Sequence, residues 1–456
     1  MMMTLLEAAA MLGAPRPSQD GTITRVVIDS RAIEPGDLFV ALPGEHVDGH
    51  DFVQQAMAAG AAGVLVSRDV GIAAQLVTPD SKLALGELAR QWRARFSLPM
   101  IAVTGSNGKT TVKQMIASIL SEHAAGTAFA TQGNLNNEIG LPLTLLRLRQ
   151  FHRYGVVELG MNHPGEIAVL GRIAQPTVAL VNNAQREHQE FMKSVADVAA
   201  ENGSIYGCLP ANGVAVINAD DEFAGLWRKL AAGREVVDFG LRTSADVTAN
   251  YEPALFGSHL ELMLPDDDVE VVLRIPGAHN VLNACAAAAC TVAAGIPVKV
   301  IAAGLNAFTP YTGRMQKKVA TSGAIVIDDT YNANPDSVRA AIDVLSAIPK
   351  HAGGARVLVL GKMGEVGDQG PQFHHEVGSY ARERGIEALL AFGAETEPVA
   401  QAFGIGASRF DEIDDVKQRA VELAVPGATL LIKGSRSARM ERVVAALTGE
   451  DKTGAH

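Results

Sequence analysis

The stretch IAVTGSNGKTT, residues 101–111, limits the folds open to this chain more than any other segment. IAVTG is a short apolar run ending in a glycine turn, which reads as a buried strand. TTVKQMIASILSEH then carries apolar residues at helical period. Strand, glycine loop and helix in that order form the context that a phosphate-binding loop needs. The loop is nevertheless short at its front. The pattern G-x-x-x-x-G-K-[ST] would place its first glycine at position 103, where Val103 stands. Gly105 leaves only Ser106 and Asn107 before Gly108. Two readings follow from the pattern alone: a nucleotide site of another subclass, or a structural turn.

The surroundings extend the same architecture. YGVVELG, TVALVNNA and GVAVINADD read as buried strands separated by helical stretches, the alternation of a parallel α/β sheet. The pattern restarts after GRM at 313–315. AIVIDDTY, ARVLVLG, EALLAFG and ATLLIKG alternate there with the helices PDSVRAAIDVLSAI and ARMERVVAALTG, giving a second open α/β sheet. Ahead of the loop, TRVVIDS, DLFVAL and AGVLVS are short strands, with a helical stretch from about Asp51 to Ala59 and another in LALGELARQWRARF. The expected fold is α/β in three domains. Residues 1–82 form a small α/β unit, 83–312 a central parallel-sheet domain of the phosphate-loop ATPase kind, and 313–456 a Rossmann-like domain.

Composition narrows the function classes. Of 456 residues, 48% are hydrophobic and 20% charged, as expected for a globular chain with sizeable cores. A net charge of −11 argues against a broad nucleic-acid surface and against adhesion to acidic membranes. The N-terminal MMMTLLEAAAMLGAPRPSQDG has no basic flank and carries Glu7, unlike a signal peptide. AHNVLNACAAAACTVAAGI is too polar and too alanine-rich for a membrane span. Cys208, Cys285 and Cys290 form no C-x-x-C pair, and a sparse, odd set fits a reducing cytoplasm. Cys285 and Cys290 are expected to pack inside an alanine-rich helix.

Several residues carry candidate chemistry. A glycine turn at a helix N-terminus offers backbone N–H groups to an anion. Lys109 can reach outer phosphates, and the Thr110 hydroxyl can face a magnesium ion. Glu158 ends one predicted strand and His188 follows another, where open α/β sheets bind ligands. Both are candidate metal ligands.

The ordered motifs TGSNGKTT, GNLNNEIGLP, VVELGMN, NNAQREH, PGAHNVLNACAAAA, GRM, DDTYNANPDSV and KGSRSARMERVV resemble the Mur ligase family over essentially the whole chain. The resemblance implies ATP-driven amide-bond formation on a UDP-linked muropeptide. It also implies a short T-G-x-x-G-K-T/S phosphate loop, which favours a real nucleotide site. DDTYNANPDS is similar to the branch that joins D-alanyl-D-alanine to UDP-N-acetylmuramoyl-tripeptide, and the D-N-P-R motif of the sibling branch is missing. IDSRAIEPGDLFVALPGEHVDGHDF resembles a UDP-binding domain that folylpolyglutamate synthases lack. A folylpolyglutamate synthase-like ligase and a non-catalytic ATP-binding scaffold are the alternatives.

The resemblance assigns expected roles. Gly105, Ser106, Asn107, Gly108, Lys109, Thr110 and Thr111 would bind ATP phosphates, with Thr110, Glu158 and His188 holding Mg2+. Lys109, Glu158 and His188 would form the catalytic set. Asn280 would read adenine, Arg314 the phosphates and Asp329 the ribose, with Asp328 next to it as the competing choice. Ser30 and Arg31 would hold the UDP end, and Asn134, Asn136 and Asn137 the sugar or peptide. Asn332 and Asn334 would meet the incoming dipeptide, and Lys433, Ser435 and Arg436 a ligand phosphate or carboxylate. The expected protein is a cytoplasmic monomer with no nucleic-acid partner and no stable membrane insertion.

Two departures stand out. Many family members carry a lysine at the position of Asn202, in a K-G-E context, whose carbamate bridges to a second metal; here the text is AAENGSIYG. VLGKMGEVGDQG differs from the more usual V-L-G-D-M form. Asparagine forms no carbamate, so activity is expected to depend less on bicarbonate than in lysine-bearing relatives. A chemical-rescue assay showing a strong bicarbonate requirement traced to a lysine, such as Lys193, would overturn that expectation.

Overall fold

Three largely parallel sheets in chain order set the architecture of the computed structural model, which describes residues 1–44, 46–187, 190–349 and 354–450. The first sheet pairs Arg25–Val27, Asp37–Val40, Gly63–Val66 and Gln75–Val77 in that order, all parallel. Its two inner strands are buried on both faces, hence their unbroken apolar runs. The N-terminal segment makes the helix Leu5–Leu12, opened by a capping box between Thr4 and Glu7. The helical stretch expected near 51–59 is a 3-10 turn, Gly49–Phe52, running into the short helix Val53–Ala58.

Helix Ser81–Arg93 starts on the Asp80 side chain and packs against Leu5–Leu12, Gly140–Leu145 and Glu166–Ala174. One apolar cluster therefore runs from Leu5 and Leu38 through Leu85 and Trp92 to Leu145 and Ala179, joining the first sheet to one face of the central sheet.

The central sheet has the order Glu235–Phe239, Val214–Asn218, Val178–Val181, Met100–Thr104, Tyr154–Glu158, Ala128–Ala130, and every pair is parallel. Met100–Thr104 is buried at every residue. It lies between the strand that ends in Glu158 and the strand that leads into Asn182 and Asn183. The phosphate-loop helix Lys109–His123 and the alanine-rich helix Ala278–Ala293 cover the opposite face. Cys285 and Cys290 are buried in the latter, and all three cysteines are free.

One element departs from the expected alternation. Thr248–Ala254, Gly257–Met263 and Asp268–Leu273 form a three-stranded antiparallel sheet. Its signal was legible in HLELML, which alternates apolar and polar residues with buried and exposed positions to match.

The third sheet has the order Gln316–Val319, Ile325–Asp329, Thr429–Lys433, Arg356–Gly361, Ala388–Phe392, Ala407–Phe410. Only the first strand is antiparallel. Asp329 and Lys433 are register partners at the ends of adjacent strands. Among the described residues, no helix is long and apolar enough to cross a membrane.

The phosphate-loop helix is itself held by a close crossing with Val298–Ala307. A Cβ on Gly304 would lie 2.3 Å from the Cα of Ile119, and the Gly304 carbonyl accepts a hydrogen bond from Ser118 Oγ at 2.7 Å. Gly304→Val should destabilise the protein by about 1–3 kcal/mol, the usual range for overpacking. Denaturant unfolding checks this, and an unchanged midpoint would contradict the close crossing.

Candidate functional site

The loop after Met100–Thr104 is pressed onto the neighbouring strand end. Gly105 has φ +121° and Gly108 φ +83°, both in the region that favours glycine. A Cβ on Gly105 would lie 2.9 Å from Asn182 N, and one on Gly108 would lie 2.5 Å from Asn283 Oδ1 and 2.6 Å from Asn182 Nδ2. The Asn182 amide donates to the Asn107 carbonyl at 2.7 Å and to Asn283 Oδ1 at 3.0 Å.

The front of the loop is spent on the protein. Gly105 N and Thr104 Oγ1 both donate to Asn202 Oδ1, at 3.0 and 2.6 Å. Ser106 N donates to the Asn183 carbonyl, and Asn107 N to Asn183 Oδ1. The N–H groups of Gly105, Ser106 and Asn107 are thus engaged by neighbouring protein atoms, while Ser106 and Asn107 stand on a cavity wall. Anion-facing donors come from the first turn of helix Lys109–His123, whose leading N–H groups have no partner within the helix. Asn202 is buried, its amide donates to the Val198 carbonyl, and its oxygen clamps the loop.

Lys109 Nζ lies over the loop, donating to Gly105 O at 2.5 Å and Ser106 O at 3.0 Å, with Glu187 Oε2 at 3.3 Å. Thr110 Oγ1 donates to Glu158 Oε1 at 3.2 Å and accepts from Arg314 at 2.9 Å. Arg314 stacks over Tyr331, its guanidinium carbon 4.1 Å from the ring centroid. Asn136 Nδ2 also donates to Glu158 Oε1, at 2.9 Å. Beneath them Lys113 is wholly buried, 3.8 Å from Glu158 Oε2 and hydrogen-bonded to the Thr131 carbonyl. Burial lowers the Lys113 pKa and the Glu158 carboxylate acts in the opposite sense.

The third sheet closes over this loop. Asn107 and Asn334 exchange amide hydrogen bonds at 2.9 and 3.3 Å, while Asn334 also caps the helix Pro335–Ala347. Arg186 reaches both Asp336, at 2.6 Å, and Glu376, at 2.7 Å. Its hydrogen bonds to Asp336 and then Glu376 raise its pKa against the cost of burial. Lys433 Nζ lies 2.5 Å from Asp329 Oδ2, and Asp329 Oδ1 accepts from Met315 N. Asp328 instead binds the Thr330 hydroxyl, so Asp329 is the carboxylate that faces the cavities.

Two cavities meet at Asn107, Gly108, Arg314, Asp329 and Lys433. One, about 430 Å³, is walled by Lys109, Thr110, Glu158, Asn134, Asn136, Asn137, Asn332 and Asn334. The other, about 230 Å³, holds Thr111, Asn183, His279, Asn280 and Asn283. Burial lowers the His279 pKa to about 4, leaving the ring neutral at ordinary pH. The Asn280 amide is committed: it donates to Pro276 O at 2.7 Å and accepts from Asn283 at 3.1 Å. It stands in the wall of this cavity. Asn137 likewise spends its oxygen on Gly140 N, at the start of a short helix. A third cavity, about 540 Å³, lies within the last domain against Asn332, Lys362, Glu365, Ser435 and Arg436.

Ser30 and Arg31 sit apart from these cavities, in a 3-10 turn of the first sheet. Arg31 is exposed and folded onto Asp29, whose carboxylate it holds at a pKa of about 2. His188 lies outside the described residues. Among the described residues no group of three or more His, Cys, Asp and Glu side chains forms a metal cluster. Asn182 and Asn183 were missed in the sequence, although they follow a buried strand just as Glu158 ends one.

The chain matches three family models: "Mur ligase family, catalytic domain" over residues 22–93, "Mur ligase middle domain" over 103–291 and "Mur ligase, glutamate ligase domain" over 313–436. It is 41% identical to the UDP-N-acetylmuramoyl-tripeptide--D-alanyl-D-alanine ligase of Escherichia coli, across 97% of this chain and 98% of that relative. It superposes on a crystal structure of MurF from Acinetobacter baumannii with a TM-score of 0.91 at 34% identity, covering 98% of this chain and 99% of that one. A MurF ligase from Thermotoga maritima in complex with ADP gives a TM-score of 0.82 at 27% identity, covering 93% and 97%.

Asn202→Ala removes the acceptor shared by Thr104 and Gly105. The expected cost is about 2 kcal/mol of stability, from leaving two buried donors unpaired. ADP affinity should fall with it. Unfolding and calorimetric titration check both, and unchanged ADP affinity would remove Asn202 as the clamp.

Proposed function

The chain belongs to the Mur ligase family, and from that premise we propose that it joins D-alanyl-D-alanine to UDP-N-acetylmuramoyl-tripeptide at the expense of ATP. The observation that carries the reading is the convergence of Lys109, Thr110 and Glu158 in one cavity whose far wall, Arg314, Asp329 and Lys433, comes from the last domain. Such a site grips a polyphosphate on one side and brings an acceptor to it from the other.

The tripeptide carboxylate attacks the γ-phosphorus, the bond to the ADP oxygen breaks, and an acyl phosphate forms. The dipeptide amine then attacks the carbonyl carbon, the amide bond forms, phosphate leaves and a proton is lost. Charge repulsion is the obstacle to the first step. Lys109 exchanges its loop carbonyls and Glu187 for the phosphates, supplying positive charge where charge develops. Arg314 is anchored on Tyr331 and aimed at the same place.

Mg2+ fits the donor set. Thr110 Oγ1 and Glu158 Oε1 are hard oxygens 3.2 Å apart at the cavity wall, and magnesium keeps most of its waters beside one or two protein ligands. Bound there with the nucleotide, the ion would neutralise phosphate charge. His188 is retained as a candidate second ligand.

The division into 1–82 for the UDP-muropeptide, with Ser30 and Arg31 at the UDP end, 83–312 for ATP and 313–456 for nucleotide and the incoming dipeptide is part of the proposal. The third cavity, with Asn332, Ser435 and Arg436 on its wall, suits a small zwitterion. A cytoplasmic monomer completes the reading. A folylpolyglutamate synthase-like ligase is disfavoured because D-alanyl-D-alanine ligases align across the first sheet as well. The same whole-length alignment with ligases disfavours a non-catalytic scaffold.

Phosphate release from ATP and magnesium should require both UDP-N-acetylmuramoyl-tripeptide and D-alanyl-D-alanine, with a product heavier by one dipeptide. Lys109→Ala should lower turnover by about 10²–10³-fold or more, as loss of a charge-stabilising donor does. Nucleotide binding without dipeptide-dependent release would sink the reading.

A further inference from the structure

Lys113 is absent from every role assigned above, yet it is the one lysine among the largest fully buried side chains. It lies one turn beyond Lys109 on the phosphate-loop helix, with its ammonium under the sheet rather than in the cavity. Burying a charge this completely is costly unless another charge answers it. Glu158 does so, with Oε2 3.8 Å from Lys113 Nζ.

The two oxygens of Glu158 have different surroundings. Oε1 takes the Thr110 hydroxyl and the Asn136 amide at the cavity wall. Oε2 is sealed from solvent and takes no hydrogen bond; Lys113 is the cation it faces. Lys113 is in turn fixed by the Thr131 carbonyl at 3.1 Å, while the Thr131 hydroxyl accepts from Glu158 N at 3.1 Å. Lysine, threonine and glutamate thus form a closed triangle behind the cavity.

We propose that Lys113 is a positioning residue: its ammonium holds the buried Oε2 of Glu158 and so turns Oε1 toward the cavity wall, where the metal of the nucleotide complex would sit. The inference rests on the reading of Thr110 and Glu158 as magnesium ligands. Without the ammonium, the carboxylate would be a lone buried charge before the metal arrives. It would then be free to turn toward Arg314, which is hydrogen-bonded to Thr110 next to it, and would present a poorer ligand.

ADP affinity measured by calorimetry with and without Mg2+ separates this role from a packing role. Lys113→Gln keeps a donor for the Thr131 carbonyl but removes the charge. It should cut the magnesium-dependent gain in ADP affinity about tenfold, while metal-free ADP affinity changes less than about twofold. Lys113→Met should do the same, and thermal unfolding reports whether it folds. If it does not fold, Lys113→Gln decides alone. In a Glu158→Gln background, Lys113→Gln should cause no further loss, because the partner it acts through is gone. A gain left intact in Lys113→Gln, or an equal further loss in the Glu158→Gln background, would overturn the proposal. If Glu158→Gln alone kept the full gain, the assignment of Glu158 as a ligand would fail instead.

Discussion

The turn from Thr104 to Lys109 exists only because glycine stands at 105 and 108. At both positions the space for a Cβ is already filled, by the backbone of Asn182 and Asn183 or by the amides of Asn182 and Asn283. This close approach lets the loop hand its front three N–H groups to Asn202 and Asn183. A loop anchored in this way needs no glycine at 103, since its anion-facing part begins only at the helix. Val103 is free to be a core residue, and it is wholly buried in the sheet. The shortened motif is a phosphate loop whose front half has become a structural anchor.

The same economy governs charge. The net charge is −11, and the cavity wall sets Lys109, Arg314 and Lys433 among carboxylates that include Glu158, Glu187 and Asp329. Lys109 faces Glu187, Lys433 faces Asp329, and Lys113 faces Glu158 behind the wall. Removing one member of such a pair strands its partner, which is far costlier than never having buried either. For Lys109, an arriving polyphosphate replaces weaker acceptors with a stronger one. Lys113 cannot make that exchange, because no part of it reaches the cavity.

Much of this was legible in the sequence. Apolar runs ending in glycine or in a carboxylate located the central strands, and the restart after residue 315 located the third sheet. Lys109, Thr110, Glu158, Arg314 and Asp329 do converge on one cavity. The antiparallel sheet was missed because its alternating strands interrupt a run of buried parallel strands, although HLEL carries the period-two signal. Lys113 was illegible for a different reason. A lysine within a helix reads as a solvated position, and only the packing of the helix against the sheet buries it. Asn202 shows the converse limit: nothing in its residue type announced that its amide oxygen would be taken by a buried backbone donor and a threonine hydroxyl.

Nucleotide binding and domain arrangement are joined by where these contacts fall. Asn107 meets Asn334, Thr110 meets Arg314, and Arg186 meets Asp336 and Glu376, all within or beside the loop and all across the border near residue 312. A ligand in either loop-side cavity touches both banks, since Arg314, Asp329 and Lys433 wall both spaces. Any arrangement that moved those three side chains away would bind such a ligand less tightly by whatever they contribute. The Arg186 bridge adds a ligand-independent contact across the same border, from a position next to Glu187, which faces Lys109.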